Sequence, residues 1–173
     1  MNTLTKSKTM ADISSYIEYF RRLAAEHKDI NGFYMMDINE ILDGLRSTVK
    51  YPALILENIS GSYLASHLDN PLEIIKGGFL IIDHLSNPDD FQGEVVIIDH
   101  MKQIGHQVIT RMLHDHLKCE LLAEKAIPGF DINSISFEVM GPVFDNDFGV
   151  LYSFKLEELL DLEYKEEMWF AGF

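Results

Sequence analysis

The sequence predicts an α+β domain with a mainly antiparallel, four-stranded sheet and helices packed on one face of that sheet. Three observations support this prediction. Near the N-terminus, apolar residues recur at three- and four-residue spacing, as on one side of a helix. In two stretches between residues 132 and 156, every second residue is apolar, as in half-buried strands. A strong helix start lies between these regions, so the predicted order is α, α, β, β, α, β, β.

The first two predicted elements are helices. The first runs from about Met10 to Lys28, and Thr9 can cap it. Asn31-Gly32 then breaks the chain. A short helix is expected from Asp37 to Arg46, because its first turn carries a capping-box-like pair of acids. The apolar face of the first helix consists of Ile13, Tyr16, Ile17, Phe20, Leu23 and Ala24.

Two strands are expected in the middle of the chain. Pro52 lacks an N–H and belongs at a strand start, so the first strand is placed over residues 53–57. Residues 58–73 are rich in turn-forming residues and are expected to be a loop. The second strand covers about residues 74–85, where Gly77-Gly78 indicates a bulge or kink.

A long helix should follow. Asn87 can cap it, and Pro88 suits the first helical position. If it extends to Lys118, it is about 46 Å long at a rise of about 1.5 Å per residue. That length is large for a small domain, so we expect a kink near Gly105 or an end that overhangs the sheet.

The last two strands form the clearest hairpin. Apolar Ile135, Phe137 and Val139 alternate with polar residues, so one face is expected to be wet. The predicted turn is Asp145-Asn146-Asp147. Residues 1–156 are therefore predicted to form a single α+β domain, followed by an acidic C-terminal tail over residues 157–173.

Composition and charge exclude several functional classes. The chain has 173 residues, 47% of them hydrophobic, which is enough for a packed core. Its net charge is −14, which repels nucleic acid, and no local basic patch is found, so no specific nucleic-acid binding is expected. The longest apolar runs are far shorter than the roughly 20 residues of a membrane span, so no membrane partner is expected.

The expected location is the cytoplasm. The single cysteine, Cys119, cannot form an internal disulfide, which argues against an oxidised secreted scaffold. The first ten residues lack the apolar segment of a signal peptide.

The acidic tail has two interpretations. It is either a solvated segment that favours solubility or a segment that docks on the basic surface of a neighbour. Apolar residues between its acids keep the second interpretation open: Leu159, Leu160, Leu162, Tyr164, Met168 and Trp169.

Histidines on the long helix suggest a metal site, but their spacing argues against one. A helical site needs ligands three or four residues apart, and no two of these histidines have that spacing. His116 and Glu120 do have it, but two ligands make an incomplete site. The histidines concerned are His100, His106, His114 and His116, with Asp99 and Asp115 nearby.

Other candidate chemistry is equally weak. Cys119 lies near His116, but the acids around it raise the pKa of a thiol and argue against a nucleophile. Glycine-rich phosphate loops and nucleophile-elbow motifs are absent. Asp83 and His84, near a strand end, either begin a turn or contribute with His100 to a dispersed ligand pocket. The sequence thus predicts no catalytic, cofactor-binding or metal-binding residues, no cofactor and no enzyme.

The predicted order resembles that of tail-terminator and tail-completion proteins of tailed phages and phage-like mobile elements. Two stretches also resemble small proteins of such elements: residues 33–57, and the hairpin Gly141–Val150. The resemblance implies a structural protein, commonly a hexamer, that caps or joins the tail tube as a ring-forming subunit. Its partners would be copies of itself and tail-tube or other tail proteins, in the cytoplasm or in the particle. The acidic end past Lys155 has no counterpart in this resemblance.

Two other functions remain open. One is a small α+β protein-binding module, of a regulatory or immunity type, whose acidic surface recognises a basic partner. The other is an enzyme whose site is assembled from dispersed residues such as Asp83, His84 and His100.

Overall fold

A computed structural model describes residues 13–35, 49–64, 71–122, 127, 129–143, 146–160, 164 and 166–169, with the backbone alone for 119–122. The described helices are α1 (Ile13–Glu26) and α2 (Phe91–Leu122). The described strands are β1 (Gly32–Met35), β2 (Ala53–Leu56), β3 (Ser60–Leu64), β4 (Leu72–His84), β5 (Phe130–Met140) and β6 (Asp147–Leu159). A short 3₁₀ turn spans Glu166–Met168. The predicted α+β class is confirmed.

The sheet is mixed and has six strands, so the predicted four-stranded sheet is wrong in strand number. Its order is β1-β2-β4-β6-β5, and β3 pairs with β4. β1 and β2 are parallel, and the other pairings are antiparallel. The described order is α, β, β, β, β, α, β, β. The predicted hairpin is confirmed, because β5 and β6 are antiparallel neighbours.

Strand β4 is long because its two halves have different partners on one side. Phe79–Ile82 pairs with β2, and Leu72–Lys76 pairs with β3. Gly77-Gly78 lies between the two halves. The register with β6 is unbroken along the whole of β4, so the bulge expected at these glycines is absent. The register shift of this sheet lies instead in β5, between Asp131 and Ser136.

Two strands occupy segments for which the sequence predicted none. β1 begins at Gly32, where a chain break was expected, and β3 lies in the expected loop. Both are short: β3 pairs with β4, the strand that follows it, and β1 pairs with the parallel strand β2. The helix expected from Asp37 to Arg46 lies outside the described residues.

The start of α2 differs from the expectation. Asp90, rather than Asn87, caps the helix, because its Oδ1 accepts a hydrogen bond of 2.9 Å from the Gly93 N–H. Asn87 instead stabilises the preceding turn by accepting from the Asp89 N–H at 3.2 Å. The helix continues through Gly105 as one element of 32 residues.

Both helices pack on the same face of the sheet, as predicted. Phe20 of α1 lies at the centre of this core, with ring centroids 5.7 Å from Phe79 and 5.7 Å from Phe154. Side chains alternate along β4, so Ile75, Phe79 and Ile81 face the helices. We call the opposite side of the sheet the second face. A smaller buried cluster lies there, formed by Ala53, Ile55, Leu80 and Ile82. No helix within the described ranges is long and apolar enough to cross a membrane.

Candidate functional site

Two lysines lie side by side on the second face. The register of β4 and β6 pairs Lys76 with Lys155, and both side chains are exposed. Like charges directly opposite each other on neighbouring strands destabilise a sheet. Neither ammonium group forms an ion pair with a carboxylate in the part of the chain that the structure describes. We call these two residues the lysine pair.

The lysine pair borders a shallow groove of about 300 Å³. Three serines from β5 and β6 line it: Ser134, Ser136 and Ser153. The hydroxyl of Ser134 accepts a hydrogen bond of 2.8 Å from the Lys155 N–H, and donates one of 2.6 Å to the Asp131 carbonyl. These bonds hold the strand ends together where β5 has its register shift.

Glu57 also lines the groove. Its N–H donates to the Gly78 carbonyl at 3.0 Å, which fixes the chain as it leaves β2. Its half-buried carboxyl group lies over Gly78, where any side chain would collide with it. Burial raises the pKa of Glu57. The glycine therefore makes room for a carboxyl group on the second face.

The charged groups of the groove could contact an anionic ligand. A serine nucleophile needs an adjacent base, such as a histidine or carboxylate. Across the described ranges, no serine hydroxyl of the groove is hydrogen-bonded to either group. Two adjacent ammonium groups instead match an anionic ligand, because hydrogen bonds between ions are the strongest of their kind. This site was not predicted, because the two lysines are far apart in the sequence and only the strand register brings the lysine pair together.

Asp83 and His84 form part of a different cluster, at the far end of β4. His84 Nδ1 lies 2.8 Å from Oδ1 of the buried Asp147, and the Tyr51 hydroxyl donates to Oδ2 of Asp147 at 2.6 Å. Burial, the hydrogen bond to Asp147 and the nearby negative charge raise the pKa of Tyr51. Asp83 accepts a hydrogen bond from the N–H of His84. This cluster ties the start of β6 to β4 and to the chain before β2.

His100 does not join that cluster, so the structure does not assemble the dispersed pocket of Asp83, His84 and His100. His100 is exposed on α2. His106 lies edge-on to Tyr152, with ring centroids 6.2 Å apart, and His116 Nδ1 lies 2.9 Å from the Ile127 carbonyl oxygen. The Cys119 side chain lies outside the described atoms. No three His, Cys, Asp or Glu side chains converge as metal ligands within the described residues.

Asp115 joins the two helices. Its Oδ1 accepts a hydrogen bond of 2.9 Å from Arg111, and its Oδ2 accepts one of 3.1 Å from Tyr19 of α1. Arg22 of α1 adds an ion pair at 3.5 Å. Burial alone would raise the pKa of Asp115, but the bonds from Arg111 and Tyr19 outweigh it and lower that pKa. Asp115 lies between His114 and His116 in the sequence, but its bonds join the two helices and make it a structural residue.

We expect Asp115→Asn to destabilise the fold by about 1.5 kcal/mol near neutral pH, because it removes bonds to a charged acceptor. A carboxylate whose folded-state pKa is lowered stabilises the fold above the unfolded-state pKa of about 3.9, and this contribution is lost as the pH falls through the folded-state value. The difference in the free energy of unfolding between the variant and the parent should therefore shrink below about pH 4.

Urea unfolding near pH 7 and near pH 3 measures this difference in the free energy of unfolding. Asp99→Asn, exposed on the same helix, is the control. An equal difference in the free energy of unfolding at both pH values would contradict a lowered folded-state pKa for Asp115.

Comparison with known proteins adds no relative: no protein-family model matches the chain, and no curated protein matches it.

Proposed function

We propose that the chain is a structural assembly subunit of a phage-like tail, and that it forms a ring that caps or joins the tail tube. The main supporting observation is the apolar edge of the hairpin. β5 is the last strand of the sheet path, and its apolar Phe137 and Val139 are half exposed. An edge strand offers unpaired N–H and C=O groups, which proteins normally cover or protect with charge.

The first turns of α2 extend this apolar surface. Lys102 Nζ lies 4.7 Å from the ring centroid of Phe137, so α2 runs beside β5. Val95 precedes Lys102 by two helical turns and lies on the same side of the helix. Val95, Val96 and Phe91 are all exposed. We call Phe91, Val95, Val96, Phe137 and Val139 the assembly surface. An exposed apolar surface of this kind is typical of a contact between proteins.

A ring requires a contact between two unlike surfaces of neighbouring subunits. The assembly surface lies at the β5 end of the sheet, and the other end of the sheet path is the short strand β1. The two ends are unlike, so joining one to the other gives a head-to-tail contact. The element order is compatible with the resemblance: β2, β4, α2, β5 and β6 follow as strand, strand, long helix and hairpin, with β1 before β2 and β3 between β2 and β4 as additional strands.

We expect Val139→Lys to weaken self-association at least tenfold, because it places a charge in the assembly surface. Leu117→Lys is a matched control: Leu117 is 49% exposed and Val139 is 50% exposed, but Leu117 lies outside that surface. Native mass spectrometry should show rings for the parent and for the control variant at moderate salt.

Raising the salt concentration should promote ring formation, because dissolved ions screen the charge of −14 per chain. The Debye length falls from about 30 Å at about 0.01 M salt to about 8 Å at about 0.15 M.

A chain that stays monomeric at every salt concentration, and that also ignores tail-tube protein, would contradict the proposal. The small protein-binding module would then be the leading function. Equal loss of rings in the Val139 and Leu117 variants would show that the assembly surface is wrongly placed.

A further inference from the structure

The first three residues of the predicted acidic tail, 157–159, belong to β6, and beyond them the acidic tail carries a compact, exposed aromatic element. The rings of Tyr164 and Trp169 stack with centroids 6.3 Å apart and an interplanar angle of 22°. Tyr164 is 71% exposed, Met168 is 77% exposed and Trp169 is 67% exposed. Glu166 and Glu167, in the turn between the two rings, are exposed as well. The element therefore combines three large apolar side chains with two carboxylates, and it covers little of its own subunit.

The second face offers a surface of matching character. The register aligns Leu64, Leu72 and Leu159 in one row across β3, β4 and β6. This row lies four residues from the lysine pair along each of β4 and β6, so both rows project from the same face. Leu64 and Leu159 are exposed. The row Ser62, Ile74 and Glu157 lies between these two rows on the same face, so the surface joins two ammonium groups to an apolar row across one further row, and we call it the receiving surface.

We propose that the tail of one copy docks on the receiving surface of a second copy, an inference that rests on the proposed ring-forming function. The carboxylates of Glu166 and Glu167 neutralise the lysine pair, whose members have no described carboxylate partner in their own subunit. The stacked rings of Tyr164 and Trp169 cover the apolar row. Charge and hydrophobic complementarity therefore select the same occupant.

The geometry at the root of the tail favours a second copy over the same copy. The Leu160 N–H donates a hydrogen bond of 2.9 Å to the Pro71 carbonyl, which holds the chain at the end of β6 beside the apolar row. From there, the tail must reverse direction at once to reach its own Lys155. The exposure of Tyr164 and Trp169 shows that they do not make that reversal in the single chain. Docking from one copy to the next is a contact between unlike surfaces, as a ring requires.

Intrinsic fluorescence of the full-length chain tests the proposal directly, because Trp169 is the only tryptophan. As the protein concentration rises, Trp169 should leave water and its emission should move to shorter wavelength. Lys76→Glu with Lys155→Glu should raise the concentration at the midpoint of this shift at least tenfold. Lys28→Glu with Lys118→Glu makes the same change in net charge at exposed lysines elsewhere, and it should leave the midpoint within about threefold of the parent.

A charge exchange tests the pairing itself. Glu166→Lys with Glu167→Lys should lose the shift when that variant is measured alone. Mixing it with the chain that carries Lys76→Glu and Lys155→Glu should restore the shift, because the reversed tail then meets the reversed surface. All four positions are exposed, and circular dichroism checks that each variant is folded. Failure of the mixture to restore the shift would overturn the proposal.

The remaining outcomes separate this inference from the proposed function. An emission that is already shifted and unchanged by dilution would place the tail on its own subunit and overturn docking on a second copy. Rings in native mass spectrometry without any shift of Trp169 would overturn the inference and leave the ring-forming function intact. Absence of both rings and shift at every salt concentration, with tail-tube protein present, would overturn both.

Discussion

Replacing Phe20 by alanine is expected to destabilise the fold by about 4 kcal/mol, the cost of emptying a site filled by a fully buried aromatic ring. Phe20 joins α1 to the sheet. Its ring centroid lies 5.1 Å from that of Tyr16, 5.4 Å from that of Tyr19 and 5.7 Å from those of Phe79 and Phe154. These rings belong to α1 and two central strands, so they cannot collapse into the space without moving the sheet.

Urea unfolding followed by circular dichroism measures this loss. Ile13→Ala is the control, because Ile13 lies in the same helix but is exposed, and its change should stay within about 0.5 kcal/mol. A loss of less than about 1 kcal/mol for Phe20→Ala would mean that α1 is not docked on the sheet in solution.

The position of Phe20 was readable from the sequence because helical periodicity is local. The predicted apolar face of α1 included Tyr16, Phe20, Leu23 and Ala24, which are buried, but also Ile13, which is exposed at the start of the helix. Three- and four-residue spacing places these side chains on one side of the helix whatever the rest of the chain does. The hairpin strands were readable for the same reason, since alternation with a period of two also needs no distant partner.

Strands β1 and β3 were not readable, because their partners supply what their sequences lack. β3 has the sequence Ser-Gly-Ser-Tyr-Leu, which is typical of a turn, yet it pairs with β4 along its whole length. β1 has four residues and a parallel partner, β2, beyond a long connection. In both cases, hydrogen bonds to a strand placed by the core outweigh local preference.

The lysine pair depends on a still finer feature, the register of β4 against β6. A slip of one residue between these strands would move one lysine to the other face of the sheet. Each lysine stands singly among apolar residues in the sequence, which is also typical of an ordinary exposed strand position. Only the observed pairing of Lys76 with Lys155 makes them one site.

Gly105 lies inside the long helix, where the sequence predicted either a kink or a helix end that overhangs the sheet. Helix α2 is one element through this position. The structure gives the glycine another role: it lets α2 approach the ring of Tyr152 on β6. A methyl group at Gly105 would lie 2.5 Å from Cζ and 2.7 Å from the hydroxyl oxygen of that ring. Such distances are well inside van der Waals contact.

We therefore expect Gly105→Ala to destabilise the fold by about 3 kcal/mol, at the upper end of the usual cost of overpacking. The sign of this stability change is informative, because replacing glycine by alanine in an exposed helix stabilises that helix by about 1 kcal/mol. Tyr152 cannot easily move aside. Its hydroxyl donates to the Lys102 carbonyl at 3.0 Å, and its ring stacks on Phe79 with centroids 5.2 Å apart. Burial raises the pKa of Tyr152 to about 12, so the hydroxyl keeps its proton and remains a donor at neutral pH.

A double-mutant cycle with Tyr152→Leu separates this clash from other effects of the substitution. Tyr152→Leu alone should cost about 3 kcal/mol through lost packing and a lost hydrogen bond. In that background, the added methyl group of Gly105→Ala meets a smaller side chain, and its cost should fall by about 2 kcal/mol or more. Urea unfolding of the parent, both single variants and the double variant gives the coupling energy. Additive losses would show that the Tyr152 ring is not what requires glycine at position 105, and stabilisation by Gly105→Ala alone would show that α2 does not approach β6 this closely.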